Sequence, residues 1–233
     1  MMKPLIFIPT YNEAGNVHQL VAEISALGLD LDILFIDDGS PDGTGDILDD
    51  LAGKMKNLKV IHRSGRSGVG SAHLTAVHYA WKNGYERLVT MDGDLTHSPG
   101  DIPRLLAKGG EYDVVIASRF AGSRSSDMQG LGRRLLSRIG HMATRWVLGL
   151  PYDASSAFRL YALKQIPPGV LASICTTGYA FFFESLFLLA RNRARIGEVP
   201  VSILPRQGGD SKMSMVEAAR WLKRLMSIRM QNR

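Results

Sequence analysis

A chain of 233 residues with 45% hydrophobic content can bury one large core, which excludes a disordered or fibrous protein. Its formal net charge of +6 turns it toward polyanions such as nucleic acid, nucleotide phosphates or anionic lipid headgroups, and its single cysteine, Cys175, excludes an internal disulfide and fits a reducing cytoplasm. No basic segment precedes an apolar one at the start, and the longest apolar run, 179–190, holds Glu184 and is shorter than the ~20 residues that span a bilayer, so neither a secretory signal nor a membrane span is expected.

Leu5, Ile6, Phe7 and Ile8 predict a buried first strand, closed by Pro9, Thr10, Tyr11, Asn12 and Glu13. Val17, Leu20, Val21, Ile24 and Leu27 recur at helical spacing, and Gly28 supplies a stop. A second apolar strand over 31–36 runs into Asp37-Asp38-Gly39-Ser40-Pro41-Asp42-Gly43-Thr44. A third strand covers 58–61, and a Gly-rich loop, 64–71, leads to a helix through Tyr79 and Trp81. The fourth strand begins at Leu88 and delivers Asp92-Gly93-Asp94. Side chains two apart on a strand share a side, so both carboxylates are expected to converge at its end, with Gly93 letting the backbone bend. Two hard oxygen ligands suit Mg²⁺ or Mn²⁺. The same residues alone also make an ordinary Asp-Gly turn.

A fifth strand over 113–118 ends at Arg119, and a Gly/Ser-rich stretch follows over 121–132. Arg133, Arg134, Arg138 and Arg145 then share a helix with Leu135, Ile139, Met142 and Trp146; Arg134 and Arg145 are expected to be solvated charges. An aromatic helix over 178–189 carries Glu184, 196–204 is strand-like, and a basic loop over 205–212 leads to a last helix. There Met215, Ala219, Leu222 and Met226 share a face. Apolar strands alternating with helices predict an α/β fold with a mostly parallel sheet covered on both faces, whose ligands bind beyond the carboxyl ends of the strands. The polar clusters at 10–13, 37–44 and 92–97 all fall at such ends. The expected organisation is one domain over 1–212 and an amphipathic helix over 213–233. No nucleic-acid module is present, so nucleic acid is not an expected partner.

The segments Pro9-Thr10-Tyr11-Asn12-Glu13, Asp37 to Thr44, Met91-Asp92-Gly93-Asp94-Leu95-Thr96-His97, Ser118-Arg119-Phe120 and Ser137-Arg138 follow one another along the chain. Phe158-Arg159-Leu160-Tyr161, Gly197-Glu198-Val199-Pro200 and Gly209-Asp210-Ser211-Lys212 come after them. Together they resemble the family-2 glycosyltransferases of the GT-A fold, and within these the dolichyl-phosphate mannosyltransferases and related polyprenyl-phosphate glycosyltransferases. The resemblance implies a GT-A-like, Rossmann-type sandwich. It implies a nucleotide pocket of Pro9, Tyr11, Glu13, Asp38 and Asp92, with Asp92 and Asp94 at a Mg²⁺ or Mn²⁺ ion and Asp94 catalytic. It also implies that Arg206, Ser211 and Lys212 hold the donor diphosphate and that Arg119, Ser137 and Arg138 hold the acceptor's phosphate.

The reaction so implied is metal-dependent, inverting transfer of a hexose, mannose from GDP-mannose, to a polyprenyl or dolichyl phosphate. The runner-up is a soluble enzyme using a UDP-sugar or a non-lipid acceptor; a non-catalytic nucleotide-binding subunit would have lost the carboxylates at Asp92 and Asp94. Such a transferase would be cytoplasmic and peripheral, its last helix lying on the domain or on the membrane surface. The loop 64–71 resembles a phosphate cradle, though not a Walker loop, because Ser71 stands where Lys is required. A capped turn with Thr44 or Ser40 as N-cap explains one of Asp37 and Asp38 but not both. Glu184 is costly to bury unpartnered and is expected at the sugar or just behind it. Three departures from the family pattern, Ala157, His141 and the loop 122–130, lie on the acceptor side.

Overall fold

The computed structural model describes residues 3–121, 126–127, 131–204 and 215–231, and of 126–127, 131–136 and 215–216 the backbone alone. Arg206, Ser211 and Lys212 therefore lie outside the described residues, as does most of the loop 122–130. In chain order the elements are β1 (Leu5–Thr10), α1 (Val17–Ala26), β2 (Asp32–Asp37), α2 (Thr44–Lys54), β3 (Leu58–His62), α3 (Val69–Lys82), β4 (Arg87–Thr90), and α4 (Ile102–Lys108). There follow β5 (Val114–Ser118), β6 (Ser126–Asp127), α5 (Leu131–Leu148), β7 (Arg159–Ala162), α6 (Pro168–Ala172), α7 (Phe181–Arg191), β8 (Ile196–Pro200), β9 (Ser202–Ile203) and α8 (Met215–Gln231).

The main sheet has the order β3-β2-β1-β4-β7-β5-β8, with β6 and β9 forming a separate short parallel ribbon. All neighbours in the main sheet are parallel except β7, which runs antiparallel to both β4 and β5. The strands are apolar throughout because both faces are covered. Along β1, Leu5 and Phe7 enter one core with Ala76, Phe181, Phe183 and Leu225 from α3, α7 and α8. Ile6 and Ile8 point the other way, into a core with Leu20, Leu48 and Leu105 from α1, α2 and α4. This is the two-residue alternation of a strand, used on both sides. Phe7 and Phe35 are fully buried, each contributing about 1.5–3 kcal/mol of transfer free energy.

Strands β1, β2 and β3 step outward in one direction, and α3 then carries the chain back across to β4 on the other side of β1. That reversal opens a crevice at the carboxyl ends of β1 and β4, where an α/β sheet receives its ligand. The C-terminal helix docks on the domain. Leu225 and Ile228 are buried, Trp221 meets the Phe183 ring edge-on at 5.2 Å, and Arg224 pairs with Glu184. Among the described residues no helix is long and apolar enough to cross a membrane.

Candidate active site

A cleft of about 670 Å³ occupies that crevice, and Pro9, Tyr11, Glu13, Asp38, Asp92 and Asp94 all lie on its wall. The five donor-site residues and the metal-linked aspartate expected from the sequence are thus brought together from β1, β2 and β4. Three polar turns build this wall. Asp37 is not a ligand group: its Oδ1 accepts from Thr10 Oγ1 at 3.0 Å and Ser40 Oγ at 2.5 Å, and its Oδ2 from Ser40 N at 3.0 Å. Neither Ser40 nor Thr44 is the N-cap of α2, which falls on Gly43 in the left-handed region; Thr44 Oγ1 instead accepts from Glu13 N at 2.9 Å. Asp42 takes over the capping work. Burial opposes its ionised form, but donors from Thr44 and Ala14 hold it below the usual carboxylate range.

The strand geometry expected for Asp92 and Asp94 does not occur, because β4 ends at Thr90 and both aspartates sit in the loop beyond it. Gly93 does not take a positive φ either. A Cβ there would touch Ile8 Cγ2 and the Pro9 carbonyl at 3.4 Å, so the loop runs closely against β1. The conformational strain lies two residues later, at Leu95, and also at Asn12, with φ of 59° and 56°. Thr96 donates to Asp94 Oδ1 through both its amide (3.1 Å) and its hydroxyl (2.7 Å), which fixes that carboxylate at the cleft. Glu13 is buried and accepts from Asn16 Nδ2 at 2.7 Å.

Asp38 has a partner that no sequence motif singles out. Arg63, just past β3, donates to its Oδ1 through Nε and also forms an ion pair with it. The same guanidinium donates to Ser71 Oγ at 2.8 Å, tying the nucleotide wall to the Gly-rich loop. That loop is docked rather than bare. The Ser71 amide donates to Thr177 O at 3.1 Å, and a Cβ at Gly68 would meet the same carbonyl at 2.4 Å. At Gly70 it would meet Phe181 Cβ at 2.7 Å. These glycines admit the 176–178 backbone, and Arg66, Ser67, Gly68 and Val69 of the same loop line the cleft. Arg66 lies 5.0 Å over the Tyr11 ring. The opposite wall comes from Thr176, Thr177 and Gly178 and from Glu217, Arg220 and Trp221 of α8, none of them expected.

Glu184 is buried and partnered, one residue behind the cleft wall through Thr176. Its carboxylate is 2% exposed and accepts from Arg224 Nη2 at 2.5 Å and Nε at 3.2 Å, and from Thr176 Oγ1 at 2.5 Å. It anchors α8 and the 176 turn. The hydrogen bond to Glu184 raises the already high Arg224 pKa.

Arg119, Ser137 and Arg138 are not on the cleft wall. Arg119 belongs to a separate polar group: its Nη2 donates to Ser155 Oγ at 2.9 Å and its Nε lies 3.5 Å from buried Asp153. Asp153 in turn accepts from Ser155 N and Oγ at 3.1 and 2.7 Å. Phe120 stacks on His141 of α5 at 4.3 Å, which brings the Ser137 turn of that helix toward Arg119. Arg138 is exposed, and Arg145 is a solvated charge as expected. Four buried polar atoms in this group, His97 Nδ1, Ser137 Oγ, His141 Nδ1 and Asp153 Oδ2, make no hydrogen bond among the described residues. Burial holds His97 neutral, pushed down to about 4, with Asp94 and Asp153 pulling upward and Arg119 downward. His97 feels both Asp94 and Arg119, so the two groups are neighbours. Ala157 supplies a carbonyl to Thr90 Oγ1 at 2.6 Å and has no room to act as more than backbone.

Residues 5–186 match the family model described as Glycosyl transferase family 2. The chain is 34% identical over 228 residues to an undecaprenyl-phosphate mannosyltransferase of Micrococcus luteus, covering 94% of both chains. It is 32% identical over 229 residues to a polyprenol monophosphomannose synthase of Mycolicibacterium smegmatis, covering 94% of this chain and 86% of that one. Among solved structures, glucosyl-3-phosphoglycerate synthase from Mycobacterium tuberculosis, in complex with Mn²⁺, UDP and phosphoglyceric acid, superposes with a TM-score of 0.68. It shares 18% identity and covers 97% of this chain and 76% of its own.

Proposed function

This chain belongs to glycosyl transferase family 2 and has the GT-A fold, and from that premise we propose that it transfers mannose from a nucleotide sugar, GDP-mannose, to a polyprenyl phosphate with inversion. The observation that carries the reading is a nucleotide-sized acidic cleft beside a separate polar group in which Arg119 meets Ser155 and Asp153. The curated relatives bear names that specify a polyprenyl-phosphate acceptor and a mannosyl group.

Tyr11 and Pro9 offer a face for the base or ribose, and Asp38, steadied by Arg63, accepts from a base edge or sugar hydroxyl. Asp92 and Asp94 would hold Mg²⁺ or Mn²⁺. The fit is sound: both are hard oxygen donors on the cleft wall, one is clamped by Thr96, and a diphosphate supplies the remaining ligands of a shell that two carboxylates leave incomplete. When bound, the ion neutralises charge on the departing diphosphate. Arg206 and Lys212 are proposed to add positive charge to the same group. Arg119, with Ser137 and Arg138, would hold the lipid phosphate. Its oxygen is already anionic at neutral pH and attacks the anomeric carbon as the bond to the nucleoside diphosphate breaks. No proton has to be removed, so positioning and leaving-group stabilisation carry the rate. A substrate of this kind requires work at a membrane surface.

The test is transfer from radiolabelled GDP- and UDP-sugars to polyprenyl phosphate, read by partition into organic solvent. Label that enters the organic phase from GDP-mannose, and is lost with EDTA or in Asp94→Ala, is the expected result. Nucleotide-sugar hydrolysis without lipid labelling would replace this reading with a soluble acceptor.

A further inference from the structure

Arg159 and Glu198, both in segments that carry the family resemblance, line no part of the nucleotide cleft. They occupy one row of the main sheet: Ile116 of β5 pairs with Arg159 of β7 on one side and with Glu198 of β8 on the other. Two residues along each strand, Tyr161 and Ile196 enter the core that also holds Val114, Ile116 and Ala154, so both charged side chains rise on that face. A charge on an apolar face is costly unless partnered. Arg159 is fully buried, yet its acceptors are all neutral: Ala154 O and Ser185 Oγ at 3.1 Å and Tyr161 OH at 3.5 Å. Its Nε makes no hydrogen bond among the described residues. A well-packed apolar side chain would fill this place at less cost, so stability alone does not account for the guanidinium.

Both charges close on one turn. Glu198 Oε1 accepts from Asp153 N at 2.8 Å, and Arg159 Nη2 donates to Ala154 O at 3.1 Å. The anion therefore holds the N–H at the start of the turn, and the cation holds the carbonyl one residue on. That turn carries Asp153 and Ser155, the two side chains that meet Arg119. The backbone beside Arg119 is tied to the same frame, because β5 ends at Ser118 and Ser118 O accepts from Val201 N, just past β8, at 3.0 Å. Asp153 Oδ2 lies 3.5 Å from Arg119 Nε, longer than a normal hydrogen bond, so the turn and not the pair itself sets their approach.

From this arrangement we infer that Arg159 and Glu198 are positioning residues for the acceptor's phosphate. They bracket the 153–155 turn, and the turn aims the Arg119 guanidinium. The inference rests on the assignment of Arg119 to the acceptor. In this role neither residue touches substrate.

The experiment is steady-state transfer from GDP-mannose to farnesyl phosphate, a short prenyl phosphate, with the KM for each substrate measured separately. The proteins compared are wild type, Glu198→Gln, Glu198→Leu, Arg159→Met, Arg119→Lys and Glu198→Leu/Arg119→Lys, each checked by thermal unfolding. Glu198→Gln keeps an oxygen for the Asp153 amide and should retain the wild-type acceptor KM. Glu198→Leu and Arg159→Met each lose a hydrogen bond to the turn and should raise the acceptor KM about three- to tenfold, with the donor KM unchanged. In the Arg119→Lys background, Glu198→Leu should add less than about twofold, because it acts through the guanidinium already lost. The inference is overturned if Glu198→Leu leaves the acceptor KM unchanged, if donor and acceptor KM rise together, or if Glu198→Gln is as impaired as Glu198→Leu. Full additivity with Arg119→Lys would overturn it too. Should Arg159→Met fail to fold, the two Glu198 variants and the cycle decide alone. An acceptor KM raised by Arg119→Lys but not by Glu198→Leu removes the positioning role and leaves the acceptor reading standing. Wild type that transfers to no prenyl phosphate, or an acceptor KM unmoved by Arg119→Lys, removes the acceptor reading and this role together.

Discussion

Replacing Arg224 by Met would leave Glu184 as an uncompensated charge between α7 and α8. Removing one partner of a fully buried ion pair costs about 3–5 kcal/mol. The Glu184 side chain is 2% exposed, but that of Arg224 is 26% exposed, and Thr176 continues to donate to the carboxylate. The expected loss is therefore at the lower end, about 2–3 kcal/mol, or a melting temperature lower by roughly 5–10 °C for a chain of this size. Because α8 carries Glu217, Arg220 and Trp221 to the cleft, the donor KM should rise as well. Glu184→Leu/Arg224→Met should recover most of the stability, since a well-packed apolar pair can replace a buried ion pair at little cost. Thermal unfolding of the wild type, both single variants and the double closes the cycle. A loss below about 1 kcal/mol in Arg224→Met, or a double variant no better than the singles, would refute the assignment of this pair as the anchor of α8.

Acid sensitivity should have an identifiable source in His73, which is packed among Phe7, Phe181 and Phe182 with ring centroids 5.0–5.1 Å away. Burial pushes its pKa from 6.5 down to about 4, with nearby Arg159 adding to the effect and the hydrogen bond to Val69 O opposing it. The unfolded chain takes up this proton first, so the contribution to stability is complete above pH 6.5 and is lost as the pH falls toward 4, about 3 kcal/mol in all. His73→Phe should shrink the difference between denaturant midpoints measured near about pH 7.5 and about pH 5; an unchanged difference would exclude His73 as the source. Arg119→Lys cannot present a fork to Ser155, Asp153 and a phosphate together, and should raise the acceptor KM roughly 10- to 100-fold with the donor KM unchanged. A change confined to the donor KM would move Arg119 out of the acceptor group.

What the sequence made legible was local. Runs such as 5–8 and 33–36 are strands because they are apolar on both faces, and the polar residues that end them mark the cleft without any structure. What stayed hidden depends on contacts between distant residues. Arg63 reaches Asp38 across 25 positions and Arg224 reaches Glu184 across 40, and an arginine in sequence does not announce its carboxylate. Gly68 and Gly70 have the spacing of an anion loop, but the backbone that demands them lies more than a hundred residues away at 176–178. The Asp-Gly-Asp motif marks the cleft but hides how its carboxylates are held, because a motif does not say where the strand beneath it stops.

The antiparallel strand β7 has a consequence for how the chain is made. β1 to β4 are complete once Thr90 has left the ribosome, yet β4 gains its second neighbour only when Arg159–Ala162 arrives. At about 5–20 residues per second, those intervening residues take several seconds to synthesise. Without β7, a sheet of β1 to β4 would leave the β4 edge unpaired at Leu88 and Val89, the kind of edge that recruits another chain. Insertion of β7 joins the two halves of the sheet and covers that edge, pairing with β4 on one side and β5 on the other.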